Sequence, residues 1–203
     1  MLHDIMGLDR ALPWLLGAFV AGYLIGSVPF GILVSRLFGL ADPRTVGSGN
    51  IGATNVLRSG HKAAAAVTLL LDALKGAVPV LLFLFWGDLA AQAAGLGALI
   101  GHCFPVWLRF RGGKGVATFL GLVAALYWPA GAAAALTWLF AAGASRISSL
   151  AALVSAASAP VWLWGLGRLE AFLAVALAAV LVWARHHANI GRLLRGEEPR
   201  IGR

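Results

Sequence analysis

The stretch AAAAVTLLLDALKGAVPVLLFLFW occupies residues 63–86. As an α-helix it is long enough to cross the roughly 30 Å of hydrocarbon in a bilayer. Only Asp72 and Lys75 interrupt its apolar character, and unpaired charge at that depth is expensive. They stand three residues apart, the spacing of neighbours on one helix face. They are therefore expected to pair, with each other or with an adjacent helix, in a structural role. This segment reads as a helix in lipid.

Outward from it lie further apolar runs at Leu12–Phe38, Leu89–Leu108, Val116–Trp128, Pro129–Ala142, Leu150–Leu166 and Leu169–Ala184. The two runs meeting at Trp128-Pro129 are individually short. They read either as half-depth helices or as one tight hairpin turning at the proline. The expected fold is all-α: one polytopic membrane domain over residues 1–203 with about seven spans, five or six being the fallback. Composition agrees, because 60% of the 203 residues are hydrophobic and only 12% charged, about half the share in a soluble domain. Gly22–Gly26 and Gly97–Gly101 have the GxxxG spacing that lets helices approach closely in lipid. Asp4 and Asp9 spoil the basic start of a signal peptide, so the first apolar run is read as a span. Cys103 is the single cysteine and excludes an intrachain disulfide.

Seven spans force the loops to alternate sides. Arg36, Arg44, Arg58, Lys62, Arg109, Arg111, Lys114, Arg146 and the cations from Arg185 onward then share one side. Arg10 and Arg168 fall on the other, beside Asp4, Asp9, Asp88 and Glu170. That asymmetry places the N-terminus outside and the C-terminus in the cytoplasm. The net charge of +8 is thus accounted for by loops facing anionic lipid headgroups, without nucleic acid.

Three polar clusters lie on the basic side. The first, Gly47–Arg58, reads GSGNIGATNVLR. Its three glycines let backbone N–H groups face inward as an anion-binding concavity, and Ser48, Asn50, Thr54 and Asn55 add neutral hydrogen-bonding groups. Arg58 closes it with a fork-shaped cation. The second runs from Gly101 to Thr118, where Gly112, Gly113 and Gly115 surround Lys114 as a phosphate cradle at a helix start. It is not a Walker A loop, since Leu108 stands where a glycine is needed and Gly115 where Ser or Thr is needed, so ATP is not implied. His102 within it reads as structural. The third, Arg185–Pro199, places His186 and Asn189 on one face of a helix continuing from lipid into water. For each cluster the plain alternative is a polar turn at the membrane surface. No set of Cys, His and carboxylate residues has credible metal-ligand spacing. The Ser145–Ser149 loop offers hydroxyls on the same side, and the sequence does not single one out.

These clusters resemble, in order, the signature motifs of the bacterial PlsY family of membrane-embedded acyl-phosphate:glycerol-3-phosphate acyltransferases. Gly26–Gly31 and Asp72–Gly76 are also similar to that family in type and order. The resemblance implies transfer of a fatty acyl group from acyl phosphate to the 1-hydroxyl of sn-glycerol 3-phosphate. The products are lysophosphatidic acid and phosphate, formed without a metal or nucleotide cofactor. It implies a multi-pass protein of the bacterial inner membrane with its active face cytoplasmic. A monomer among membrane lipids is expected. On this reading Gly112, Gly113 and Gly115 hold the acyl-phosphate headgroup. Arg58, Lys114, His186 and Asn189 hold glycerol 3-phosphate, with Arg58 and Lys114 able to serve either phosphate; Ser48 and Asn50 orient the reacting groups, and Thr54 and Asn55 contribute to binding. Glu198 orders the basic tail. The hydroxyl is expected to attack directly, its proton going to the substrate phosphoryl oxygen or to His186. A transporter for phosphorylated metabolites is the rival class, but such proteins are usually larger and no convincing repeat relates the two halves.

Overall fold

In a computed structural model, which describes residues 8–202, every regular element among the described residues is helical. Asp4 and Arg203 lie outside the described residues, as do the side chains of Asp9 and Arg10. The helices are α1 (Leu8–Gly26), α2 (Phe30–Leu37), α3 (Ala53–Arg58), α4 (Lys62–Phe83) and α5 (Asp88–Cys103). They continue with α6 (Val116–Leu126), α7 (Trp128–Ser145), α8 (Ser148–Gly165), α9 (Phe172–Arg185) and α10 (His187–Leu194). Four stretches are long and apolar enough to cross a membrane: Ala11–Leu37, Lys62–Trp86, Asp88–Leu108 and Ser148–Gly165. Leu169–Arg185 with His187–Leu194 makes a fifth if that bent pair counts as one span.

Small residues predominate in the interior. Alanines and glycines line most helix contacts, whereas many large side chains, such as Phe85 (90% exposed) and Phe140 (80%), face outward. An interior of small residues lets backbones touch, which is how helices associate where the solvent is itself apolar. The two GxxxG segments serve this contact against each other. A Cβ on Gly22 would stand 2.0 Å from the Ala94 carbonyl oxygen, and one on Gly97 would stand 2.1 Å from that of Phe19. α4 and α6 meet in the same way, since a Cβ on Gly76 would lie 2.0 Å from the Thr118 oxygen. Phe119, Leu122, Leu99, Leu163 and Val175 fill the centre between α5, α6, α8 and α9.

Two local expectations change and one open alternative is decided. The run Leu12–Phe38 is not one helix: it breaks at Ser27–Pro29, where proline cannot donate to the ladder and disfavours helical backbone before it. The carbonyls this frees take donors from elsewhere, Trp107 Nε1 to Ser27 O at 2.6 Å and Lys75 Nζ to Val28 O at 2.8 Å. The runs beside Trp128 form a tight hairpin. Extended backbone at Tyr127 turns the chain, and a Cβ on Gly131 would stand 2.3 Å from Ala124 Cα. Finally, the last helix does not continue straight past lipid. It bends by 62° at His186, where apolar α9 gives way to amphipathic, basic α10.

Candidate active site

The first loop folds upon Asn55. Buried at 2% exposure, Asn55 shares its amide nitrogen among the carbonyls of Pro43 (2.7 Å), Asn50 (2.8 Å) and Val46 (3.1 Å). Its Oδ1 accepts from the Ser48 N–H at 2.9 Å and from the Ser48 hydroxyl at 3.3 Å. The side chain is thus occupied within the loop and sets its shape. Asn50 Oδ1 accepts the Gly52 N–H at 2.9 Å, which leaves its own amide N–H groups for other partners. Gly47 and Gly49 adopt φ of 56° and 69°, backbone that side chains rarely tolerate. Gly47 also gives room, because a Cβ there would meet Asn55 Oδ1 at 2.4 Å and Arg58 Cδ at 3.5 Å. Arg58 therefore lies across the loop it terminates. Thr54 Oγ1 is 3.4 Å from Ser148 Oγ, joining this loop to the start of α8.

The second loop differs in detail from an open cradle. The Gly112 and Gly113 N–H groups are not free: they turn back onto the Cys103 and His102 carbonyls, each at 3.1 Å. Their own carbonyls accept from Arg185, Nε to Gly113 O and a terminal nitrogen to Gly112 O, again at 3.1 Å each. What the loop offers an anion is the N-terminal turn of α6, whose first amides have no preceding carbonyl to bond. Gly115 starts that turn at φ 80°, and a Cβ on it would stand 2.5 Å from Leu99 Cδ1. Gly113 admits the His102 ring, whose Nε2 would lie 2.2 Å from an added Cβ.

In the third cluster, the bend past α9 makes His186 both the last cap of that helix and the first of α10. Its Nδ1 lies 2.7 Å from the Val182 carbonyl, which fixes Nδ1 as the donor and leaves Nε2 as an acceptor. Burial pulls the imidazole down to about 4 against that hydrogen bond, with Lys114 and Arg185 adding to the shift and Glu198 opposing it. Glu198 is the hub of the tail. It accepts from Ser149 Oγ at 2.7 Å, Asn189 Nδ2 at 2.5 Å and Arg192 Nε at 2.7 Å. Burial works to raise its carboxyl, but those hydrogen bonds and the Arg192 charge hold it below the usual range. Asn189 is buried with its Oδ1 unpartnered among the described residues. The tail closes with Ile201 N–H donating to Arg146 O at 2.6 Å.

Lys114 is where the clusters meet. Burial draws its ammonium down to about 8; Glu198 opposes this, and the like charges of Arg192, Arg58 and Arg185 reinforce it. One lysine therefore sits in the fields of cations from the first and third clusters at once. The expected residues Ser48, Asn50, Thr54, Asn55, Arg58, Gly112, Gly113, Lys114, Gly115, His186 and Asn189 all belong to this end of the bundle. Arg168, Glu170, Tyr127 and Gln92 gather at the opposite end, with Arg168 4.6 Å over the Tyr127 ring and Gln92 donating to the Glu170 carbonyl at 3.0 Å. Arg185 was not anticipated as part of the site. Its signal was a cation abutting His186 at the end of an apolar run, but its partners lie 72 and 73 residues away in sequence.

Comparison with known proteins agrees over most of the chain. The glycerol-3-phosphate acyltransferase family model matches residues 16–196. A glycerol-3-phosphate acyltransferase of Dinoroseobacter shibae is 56% identical over 90% of this chain and 91% of its own length. One from a Ruegeria species is 59% identical over 96% and 97%. The fold is similar to a crystal structure of PlsY, an integral membrane glycerol 3-phosphate acyltransferase, in its glycerol 3-phosphate form. That likeness has TM-score 0.87 and 37% identity, over 93% of this chain and 96% of the other. The lysophosphatidic acid form of PlsY gives TM-score 0.86 and 35% identity, over 93% and 95%.

Proposed function

This chain belongs to the glycerol-3-phosphate acyltransferase family, and on that premise we propose that it acylates the 1-hydroxyl of sn-glycerol 3-phosphate with acyl phosphate as donor. The observation that carries the reading is the set of contacts that joins the three clusters: Thr54 to Ser148, Ser149 to Glu198, and Arg185 to the carbonyls of Gly112 and Gly113. Two phosphorylated reactants repel one another, and a pocket that brings them together needs fixed positive charge and preorganised amide dipoles. The first loop with Arg58 and the start of α6 with Lys114 supply both. Asn189 Oδ1, held by its donor contact to Glu198, is an acceptor for a glycerol hydroxyl. Asn55 acts by shaping the loop that carries Ser48 and Asn50.

The chemistry is a direct displacement. The glycerol C1 oxygen attacks the acyl carbonyl carbon, the bond from that carbon to the phosphate oxygen breaks, and phosphate leaves with the electron pair. The hydroxyl proton passes to a phosphate oxygen, or to His186 Nε2 in the alternative route. No group of the protein becomes acylated and no metal or nucleotide takes part.

The chain is one domain over residues 1–203, monomeric, crossing the bacterial inner membrane seven times. The traverses are α1 with α2, then α4, α5, α6, α7, α8 and α9, with the N-terminus outside and the site cytoplasmic. Support comes from the site contacts: α4, α6 and α8 begin, and α5, α7 and α9 end, at the face where the loops meet.

The test is phosphate and lysophosphatidic acid release by purified protein given acyl phosphate and glycerol 3-phosphate. Acyl-CoA and acyl carrier protein, tested separately, are expected to give none. Equal turnover with acyl-CoA would refute the donor, an acylated protein would refute direct attack, and transport of labelled glycerol 3-phosphate without esterification would favour the rival class.

A further inference from the structure

One polar cluster lies outside the loops. Asp72, Lys75 and His102 sit beneath the site within α4 and α5, at 2%, 3% and 4% exposure. Ionisable groups inside a span are rare and need partners. Lys75 Nζ is 2.8 Å from Asp72 Oδ1 and donates at 2.8 Å to the Val28 carbonyl freed by the break at Pro29. Asp72 Oδ1 also faces His102 Nδ1 at 3.7 Å, beyond hydrogen-bond length, and that ring nitrogen has no hydrogen-bond partner among the described residues. A pair serving α4 alone would stop within α4. This one reaches outward in two directions, and each arm ends at a different loop of the site.

Through Lys75 it holds the start of α2. There Gly31 touches the first loop so closely that a Cβ would stand 1.7 Å from the Ile51 carbonyl oxygen. Through Asp72 it faces His102, whose ring lies under Gly113 and whose carbonyl accepts the Gly113 N–H at 3.1 Å. We infer that Asp72, Lys75 and His102 are positioning residues for the reaction: a membrane-buried brace that sets the separation of the two anion-binding loops. The inference rests on the proposed function, in which those loops hold the two reactants. It requires contact with neither reactant.

The test is a double variant, Asp72→Asn with Lys75→Met. It removes both charges at similar volume and leaves no unpaired charge in the span, so the fold is expected to survive. The thermal midpoint in detergent should stay near wild type, and each KM should change little. Because about 1 Å of misplacement costs about a hundredfold in rate, kcat for phosphate release should fall by about that factor. His102→Gln, which keeps the site polar, should lower kcat by at least about tenfold at an unchanged midpoint. Wild-type kcat in the double variant and in His102→Gln overturns the brace, as does a loss confined to the thermal midpoint. Should the double variant not fold, His102→Gln decides the matter. A wild-type protein that forms no product overturns the proposed function instead, so the two failures remain distinct.

Discussion

Gly31→Ala isolates the contact between α2 and the first loop. Gly31 has no positive φ, so alanine is acceptable to its backbone and the perturbation is steric. The added Cβ would stand 1.7 Å from the Ile51 carbonyl oxygen and 3.5 Å from Thr68 Cγ2. Ordinary contact begins near 3.4 Å, so the two backbones must part by about 1.7 Å. α2 has little freedom, being packed through Ile32 and Val34 at 4% and 3% exposure. Ile51 is as buried, at 3%, so both sides must give, and Ile51 sits directly between Asn50 and the Gly52 N–H that Asn50 accepts. Any retreat of Ile51 carries Asn50 and Ser48 away from the positions that the proposed function gives them. A misplacement of about 1 Å costs about a hundredfold, or about 2.7 kcal/mol of barrier. Overpacking itself lowers stability by about 1–3 kcal/mol, which the thermal midpoint measures separately. The assay is steady-state phosphate release, with Gly143→Ala as the matched control because an added Cβ there meets nothing within 4 Å. Gly31→Ala turning over as fast as Gly143→Ala would refute the reasoning.

Lys114, drawn down to about 8, carries its charge below that pH and loses it as pH rises through it, so kcat/KM for glycerol 3-phosphate should fall above about pH 8. Lys114→Arg should abolish that alkaline limb, because a guanidinium stays protonated, and Glu198→Gln should move the limb to lower pH by removing the charge that opposes the shift. A pH profile unchanged in both variants would count against Lys114 as the titrating group. Arg185→Met deletes two charge-assisted hydrogen bonds to the second loop, each worth about 1.5–3 kcal/mol, and should lower kcat/KM at least tenfold by initial rates. Arg185→Lys should recover little, since a point charge replaces a fork that spans both carbonyls. Gly121→Ala would place a Cβ 2.0 Å from the Ala73 carbonyl oxygen, so the midpoint should drop by the equivalent of about 1–3 kcal/mol; an unchanged midpoint would mean that α4 and α6 do not touch there.

Much of this was legible because one-dimensional patterns carry it. Apolar runs set the helices, GxxxG spacing marked the α1–α5 contact, and i,i+3 spacing paired Asp72 with Lys75. Pattern fails where a group has several possible partners. Asn55 reads as a ligand because its amide has free valences, yet the loop itself consumes them. The Gly112 and Gly113 amides look open for the same reason, and the carbonyls that take them lie nine and eleven residues earlier in the chain. Arg185 and Glu198 reach groups brought close only by helix packing, and no local spacing encodes that. The bend at His186 has neither proline nor glycine to announce it.

The proton route follows from the same electrostatics. In a pocket rich in cations His186 is held down at about 4, so it meets the reactants unprotonated, with Nε2 able to accept. That same depression makes it a poor base, because burial disfavours the charge it would gain and Lys114 and Arg185 also repel it. Two bound phosphates reverse the local field. The cations that suppress imidazolium formation are then neutralised, while the departing phosphate gains negative charge beside the hydroxyl it must deprotonate. Burial, the larger cause of the depression, remains, so we propose that the substrate's own phosphate is the final proton acceptor and that His186 holds the hydroxyl in line.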